Sequence, residues 1–165
     1  MKMVVTDTGP LLHLMQIGLE DLLSHFGEVH VTHEVLFELR RHWPQGMDNL
    51  PAWLIVASPS SSAASQASHW HRAGLLHAGE SEAIAFAHEI EADLLLSDDA
   101  AARVFAEGLG IQVRGSVGIV LYAAALQQIS KSEALKCLDL LQSSSTLWVS
   151  TKVLAAAKQA LQQMR

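Results

Sequence analysis

Short apolar runs alternate along this chain with longer segments of helical periodicity, and this alternation limits the possible folds more than any other feature. The apolar runs are typical of buried strands bounded by turns, and the segments between them carry apolar residues on one helical face. Strands that alternate with helices of about 10–15 residues favour an α/β sandwich with a mostly parallel sheet. Strands are predicted at residues 2–6, 28–31, 53–57, 93–97 and 111–113, the third of them at an edge because Pro51 and Pro59 flank it.

Helical segments continue beyond the last predicted strand. Residues 58–68 are rich in Ser and Ala and are predicted to be a loop that enters a helix. The chain has 165 residues and is expected to form a single domain 1–165, with a core of about 1–127 and C-terminal helices over about 128–165. Helices are predicted from Pro10 onward and at about 19–26, 32–42, 80–91, 100–109, 117–127, 131–142 and 151–164.

The composition is that of a folded globular protein, with half of the residues hydrophobic and 17% charged. No apolar stretch approaches the roughly 20 residues of a membrane span, and the single Cys137 cannot form an internal disulfide. A cytoplasmic setting is therefore expected. The formal net charge of -6 argues against a protein that coats nucleic acid without specificity. It does not exclude a nuclease whose acidic site meets phosphate through divalent cations.

Acidic residues follow the strands or open the helices at several points. Asp7 ends the first predicted strand, where a charge costs free energy unless it is compensated. Parallel βα units bring strand ends and helix starts to one edge of the sheet, so Asp7, Glu80 and the Asp98–Asp99 pair are expected there together. A helix cap explains each acid singly. A cluster of like charges instead implies a bound cation, with Mg²⁺ or Mn²⁺ favoured by all-oxygen ligands.

Helix phase separates neighbouring acids in two of the predicted helices. At about 100° per residue, Glu80 shares the face of Ile84, which is expected to pack on the sheet, whereas Glu82 points nearly opposite. In the helix after the second strand, Glu38 lies on the apolar face and Glu34 lies away from it. Glu80 and Glu38 are the preferred inward carboxylates.

The ordered set of motifs resembles that of PIN-domain proteins, a family of small metal-dependent nucleases that includes toxins of bacterial toxin–antitoxin pairs. The matching segments are residues 4–10, 31–39, 79–85 and 94–99, and one bacterial and archaeal branch of the family is further resembled at 102–103, 110 and 115–118. The likeness covers roughly residues 3–127, and the C-terminal helices match only in general character. The resemblance implies a PIN-like three-layer α/β/α sandwich with a short, mostly parallel sheet and extra C-terminal helices.

The resemblance also implies a metal-dependent ribonuclease that cleaves single-stranded RNA, with a small antitoxin as a partner. Its Mg²⁺ or Mn²⁺ would lower the pKa of an attacking water and stabilise the leaving oxygen. Thr32 stands where many members have Pro, which affects the loop rather than the chemistry. The acidic metal-binding set corresponds to Asp7, Glu38, one of Glu80 and Glu82, and Asp98 or Asp99, with both choices open.

Several other polar and aromatic residues need an interpretation. Thr8, Arg103 and Ser116 are candidates for substrate contact or for orienting the acids. The His residues at 69, 71 and 77 are interpreted as structural because no complete zinc set accompanies them. The four Trp residues, at positions 43, 53, 70 and 148, are interpreted as core or interface anchors rather than base-stacking platforms. An apolar stripe at 153–161 is expected to cover the domain or to serve a homodimer, and a homodimer is expected.

Two other functions compete with a nuclease. Haloacid-dehalogenase-type phosphatases also place an Asp after the first strand, but they need a second Asp two residues later, where this chain has Gly9. A non-catalytic module that uses the same fold to bind nucleic acid or protein is the main alternative, against which the four retained acidic positions count.

Overall fold

The computed structural model describes residues 1–165 and is built on a five-stranded sheet in which every neighbouring pair is parallel. All five predicted strands are present, each within two residues of its predicted bounds. The order across the sheet is β3-β2-β1-β4-β5, so β3 lies at an edge as predicted. The strands are β1 Met3–Thr6, β2 Glu28–Thr32, β3 Leu54–Ala57, β4 Leu94–Leu96 and β5 Val113–Arg114.

Helices flank this sheet and complete the predicted three-layer α/β/α sandwich. Helix α4 packs against β1, β2 and β4, whereas α6 packs against β5 and against α1, α7 and α8. The helices are α1 Thr8–Gln16, α2 His33–His42, α3 Ser61–Arg72, α4 Ala78–Glu89, α5 Ala100–Gly108, α6 Ser116–Ala125, α7 Lys131–Ser144 and α8 Thr151–Gln163, with 3₁₀ segments at Glu20–Phe26 and Pro44–Asn49. None of these helices is both long and apolar enough to cross a bilayer.

The direction of strand addition reverses beside β1. The chain first adds β2 and β3 on one side of β1 and then crosses to add β4 and β5 on the other. The backbone N–H of Asp7 donates to the carbonyl of Leu96 at 2.9 Å, which joins the carboxyl ends of β1 and β4. Open α/β sheets bind ligands where the strand order reverses. The topology therefore places Asp7 and the residues after β4 at the position where a ligand is expected.

One apolar cluster extends from the sheet into the C-terminal helices. Leu138 of α7 and Leu161 of α8 belong to the same buried cluster as Val4 and Leu95 of the central strands. The apolar stripe of α8 is therefore turned inward to cover the domain, and of its residues only Val153 is an exposed large hydrophobic side chain. Both C-terminal helices are an integral part of the core.

One local prediction is wrong. Residues 61–68 are helical rather than a loop, because alanine favours helix and the Ser60 hydroxyl caps α3 by accepting the N–H of Ala63 at 3.2 Å. The helical segment predicted at 19–26 is present at Glu20–Phe26 in the tighter 3₁₀ form. Neither difference moves an acidic residue away from the carboxyl edge of the sheet.

Candidate functional site

A pocket of about 360 Å³ opens at the carboxyl ends of β1 and β4. Its floor and walls come from the starts of α1, α4 and α5, from α2, and from the loop before α8. Five of the six predicted acidic residues line it, and Glu82 does not. The lining residues are Asp7, Thr8, Gly9, His13, Glu38, Glu80, Asp98, Asp99, Ala100, Leu147 and Trp148.

Asp7 is the most deeply buried of these acids, with 4% of its surface exposed. Its Oδ1 accepts the N–H of Gly9 at 3.0 Å and thereby caps α1. Burial raises the pKa of Asp7 well above its ordinary value of 3.8, and the negative charges of Asp98 and Glu80 raise it further. The Ser97 hydroxyl lowers the pKa of Asp7 in part. Ser97 Oγ is buried and forms no hydrogen bond. A charged Asp7 is therefore unfavourable without a compensating cation.

Glu38 projects from the middle of α2 and is held at both carboxylate oxygens. Oε1 accepts the N–H of Gly79 at 2.8 Å, and Oε2 accepts the hydroxyl of Thr8 at 2.7 Å. A Cβ atom at position 79 would lie 2.6 Å from Glu38 Cδ, so only glycine leaves room for this contact. Glu38 thus connects α2 to the first turns of α1 and α4.

Glu80 and Glu82 are separated as helix phase predicts. Glu80 lines the pocket, and its Oε2 accepts the N–H of His77 at 3.1 Å, directly before α4. Burial raises the pKa of Glu80, with contributions from the charges of Asp99 and Glu38. Glu82 instead accepts the N–H of Glu34 at 3.2 Å, in the first turn of α2.

Asp98 and Asp99 both line the pocket but differ in their hydrogen bonds. The two oxygens of Asp98 are fully engaged: Oδ1 accepts the Ser116 N–H at 2.6 Å, and Oδ2 contacts the Ser116 hydroxyl at 2.5 Å and His13 Nδ1 at 2.7 Å. Asp99 uses only Oδ1, which accepts the N–H of Ala102 at 2.8 Å and caps α5. Asp98 is therefore the more constrained carboxylate and Asp99 the more available one.

Three of the five acids combine a capping role with an unengaged oxygen. Asp7, Glu80 and Asp99 each accept one backbone N–H at a helix start, and the second oxygen of each makes no hydrogen bond. Helix capping and cation binding, which compete as explanations of the sequence, are thus compatible in the fold. The unengaged oxygens are Asp7 Oδ2, Glu80 Oε1 and Asp99 Oδ2.

The donor set suits a hard divalent cation in its chemistry. Every acid contributes carboxylate oxygen, the ligand that Mg²⁺ and Mn²⁺ prefer, and the mutual repulsion that raises the pKa of Asp7 and Glu80 is of the kind that a cation relieves. No three His, Cys, Asp or Glu side chains are arranged to hold one ion directly. Mg²⁺ commonly keeps several waters and binds through one or two carboxylates, and that mode fits the residues present.

The remaining polar predictions fall in two places. The Thr8 and Ser116 hydroxyls donate to Glu38 and Asp98, so both orient acids within the pocket. Arg103 lies outside this pocket and lines the groove beside it. His71 contacts the carbonyl of Leu76 at 3.0 Å, and His77 is the residue directly before α4.

Sequence reasoning missed His13 and Trp148. His13 is the one ionisable residue of α1 and is held against Asp98, and its isolation among buried Leu and Met residues was an available signal. Trp148 is exposed over 84% of its surface, so of the two predicted roles, core anchor and interface anchor, the first is wrong for this residue. No sequence pattern distinguishes this Trp from the other three.

Comparison with known proteins identifies one family. The sequence model of the family described as PIN domain matches residues 3–163. The match includes α7 and α8, so it extends beyond residue 127, where the resemblance in the sequence was expected to end. No curated protein matches the chain significantly.

Proposed function

This chain belongs to the PIN-domain family, and from that premise we propose that it is a metal-dependent endoribonuclease that hydrolyses phosphodiester bonds of single-stranded RNA. The family has a nuclease-type fold, and its nucleases generally use divalent metals. The observation that carries the proposal is the group of five acids around one pocket at the reversal of strand order. Burial and like charges raise the pKa of two of these acids, Asp7 and Glu80.

The acids of the pocket have two roles: some would bind the cation, and the others hold neighbouring elements in position. Asp7, Glu80 and Asp99 present the unengaged oxygens and would hold Mg²⁺ or Mn²⁺, partly through water. The bound ion would supply an acidified water and charge stabilisation at the phosphate. Glu38 fixes the relative positions of three helices, and Asp98 fixes Ser116 and His13. Thr8 and His13 contribute polar groups that contact Glu38 and Asp98.

A phosphatase of the haloacid-dehalogenase type is disfavoured by the packing at position 9. A Cβ atom at Gly9 would lie 3.2 Å from the Cβ of Asp98. The glycine that stands there supplies no acid or base for that chemistry, and an aspartate would require Asp98 to shift by a few tenths of an ångström.

A non-catalytic interaction module remains the second candidate function. The observation that favours it is the lack of three side chains arranged to hold one ion directly. In that case the pocket acids would serve only as helix caps and as ties between helices.

The proposal is tested by cleavage of a mixed pool of single-stranded RNA in Mg²⁺ or Mn²⁺. Asp7→Asn retains an oxygen for the Gly9 cap but loses the charge, and we expect cleavage to fall by at least about 100-fold, the scale typical of losing a key catalytic group. Asp139→Asn is the matched control, since Asp139 is an exposed residue of α7 paired with Lys158. Metal-independent cleavage, or equal cleavage by wild type and Asp7→Asn, would reject this pocket as a metal-dependent nuclease site. No cleavage of any RNA in the pool would favour the non-catalytic module.

Two further substitutions in the same cleavage assay address the choice between the two glutamates of α4. Glu80→Gln removes a pocket carboxylate, whereas Glu82→Gln keeps an acceptor for the Glu34 N–H outside the pocket. Loss of activity in Glu80→Gln alone supports the assignment of Glu80.

The family resemblance implies a small antitoxin as a partner, whereas the homodimer is an expectation from the sequence of the C-terminal helix. We propose that the protein acts as the toxin of a toxin–antitoxin pair and that it forms a homodimer. Growth arrest on expression of the wild type, but not of Asp7→Asn, would support the toxin, and light scattering tests the dimer.

A further inference from the structure

A second groove of about 560 Å³ adjoins the acidic pocket. It lies between α5, β5, the start of α6 and the segment 147–150, and its volume is in the range of small-ligand sites. The two cavities share four lining residues and therefore lie directly beside each other. The shared residues are Asp98, Ala100, Leu147 and Trp148.

Trp148 stands on the rim between the two cavities with 84% of its surface exposed. Its chain neighbours Leu147 and Val149 pack against the core, so the backbone on both sides is anchored while the indole projects outward. Gln16 Oε1 ties the same segment to α1 by accepting the N–H and the hydroxyl of Thr146, at 2.8 and 3.0 Å. The aromatic face is therefore presented from a fixed loop, which lowers the entropic cost of stacking a planar ligand on it.

The groove is lined by two arginines and one acid, although the chain carries a net charge of -6. Arg103 and Arg114 line it, and neither side chain forms a salt bridge or a hydrogen bond. The Arg114 guanidinium lies 4.4 Å from the centre of the Tyr122 ring, a cation–π contact that fixes its place and leaves its N–H donors available. The single acid of the groove is Asp98, whose oxygens are already engaged by Ser116 and His13.

We propose that this groove binds the nucleotide next to the scissile phosphate, with its base stacked on Trp148 and its phosphate at Arg103 and Arg114. The inference rests on the proposed ribonuclease function, because the acidic pocket is where the scissile phosphate would lie. Stacking on an aromatic ring suits any base, whereas guanidinium groups recognise phosphate. A protein partner would need no continuity with the acidic pocket, and the shared wall therefore favours RNA.

The test is the binding of a fluorescein-labelled single-stranded RNA decamer by fluorescence anisotropy in EDTA, where metal-dependent cleavage is stopped. We expect Trp148→Ala to weaken binding roughly 5- to 150-fold, the range of one lost base stack, and Trp148→Phe to restore most of the affinity. A decamer of abasic residues should bind equally to wild type and to Trp148→Ala. Arg103→Ala and Arg114→Ala should each lower the slope of log affinity against log salt by about 0.7, the value for one single-strand phosphate contact.

Matched controls are available on α2. Phe37 is exposed over 59% of its surface and lines neither cavity, so Phe37→Ala should bind like the wild type, as should Arg40→Ala. The thermal melt of each variant is measured first, to confirm that the fold is intact. Trp148 and Arg103 are exposed, so their replacement is expected to leave the Tm unchanged.

The outcomes separate the groove from the chemistry. RNA binding that depends on Trp148, without any cleavage in Mg²⁺ or Mn²⁺, would support the groove as an RNA-binding site and reject the ribonuclease function. RNA cleavage by the wild type, with unchanged binding and kcat/KM in Trp148→Ala, would overturn nucleotide binding in the groove and leave the ribonuclease function supported. A wild type that binds no RNA, or a Trp148→Ala variant that changes only the oligomeric mass in light scattering, would overturn it in favour of a protein interface.

Discussion

At the scale of single residues, the central feature is a carboxylate that is buried among other acids. Asp7 sits at the end of the central strand with Asp98 and Glu80 near it, and burial together with their charges raises its pKa. Its cap to Gly9 offsets only part of this cost. Asp7 therefore lowers the free energy of unfolding whenever no cation is bound. Such a destabilising, pKa-shifted group is typical of functional sites.

The pKa shift of Asp7 predicts a pH dependence of stability in EDTA. Between its ordinary value of 3.8 and its raised value, the folded state holds a proton that the unfolded state has lost, so the free energy of unfolding falls as pH increases. Asp7→Asn lacks this fall and should be the more stable protein at neutral pH, with the difference shrinking toward acidic pH. Urea titrations from about pH 3.5 to 8 measure it, and a wild type more stable than Asp7→Asn at pH 7 would contradict the prediction.

At the scale of secondary-structure elements, the site depends on how three helix starts are joined. Glu38 bridges α2 to Thr8 of α1 and to Gly79 of α4, and Asp98 bridges the β4 end to Ser116 of α6. These ties require close backbone approach. Gly79 allows one such approach, because any side chain there would meet the Glu38 carboxylate.

Gly79→Ala tests this junction. The new methyl group must displace Glu38, and we expect a loss of about 1–3 kcal/mol in the free energy of unfolding together with reduced RNA cleavage. Gly108→Ala is the matched control, since a Cβ at the end of α5 meets no atom within 4 Å, and it should be neutral or stabilising by up to about 1 kcal/mol. Denaturant titrations measure the free energy of unfolding of both variants. Equal changes in Gly79→Ala and Gly108→Ala would show that the contact between position 79 and Glu38 is not tight.

The elements were largely predictable from sequence, whereas the details of the site were not. Apolar periodicity predicts all five strands, and helix phase separates Glu80 from Glu82, because both depend on local spacing. The loop predicted at 58–68 is wrong because Ser60 is a cap whose neighbours then favour helix. The pairing of His13 with Asp98 spans 85 residues, and the exposure of Trp148 depends on how its flanking residues pack. No local pattern carries such long-range information.

At the scale of the whole molecule, the fold concentrates negative charge at one edge of the sheet and leaves arginines beside it. The reversal of strand order places Asp7, Asp98 and Asp99 together, and the adjoining groove carries Arg103 and Arg114. If the proposed function holds, the acidic pocket would repel the RNA backbone and the two arginines would attract it. Binding of the cation and of RNA should therefore be coupled through charge.

Cation binding is expected to stabilise the whole fold. At a Mn²⁺ concentration about 100 times the dissociation constant, the gain is about 2.7 kcal/mol, or roughly 5–10 °C in Tm for a domain of this size. The Asp7→Asn/Asp99→Asn double variant keeps cap acceptors but loses two charges, so its Tm should not respond. Calorimetry with and without Mn²⁺ measures the shift, and an equal response in Asp139→Asn confirms that surface acids do not cause it. The same shift in the double variant would place the cation elsewhere.

The capping bonds of Asp7 and Asp99 have a consequence for how related sequences should be interpreted. A descendant of this chain that had lost hydrolysis would still need an acceptor at both helix starts, and Asp, Asn or Ser would all serve. Aspartate at these two positions is therefore a weak sign of activity when it is seen alone. Glu38 lies in mid-helix, where no cap is needed, and accepts two hydrogen bonds that its neutral amide cannot both reproduce. A relative that keeps Glu38, Gly79 and Thr8 together has preserved the geometry of the pocket itself.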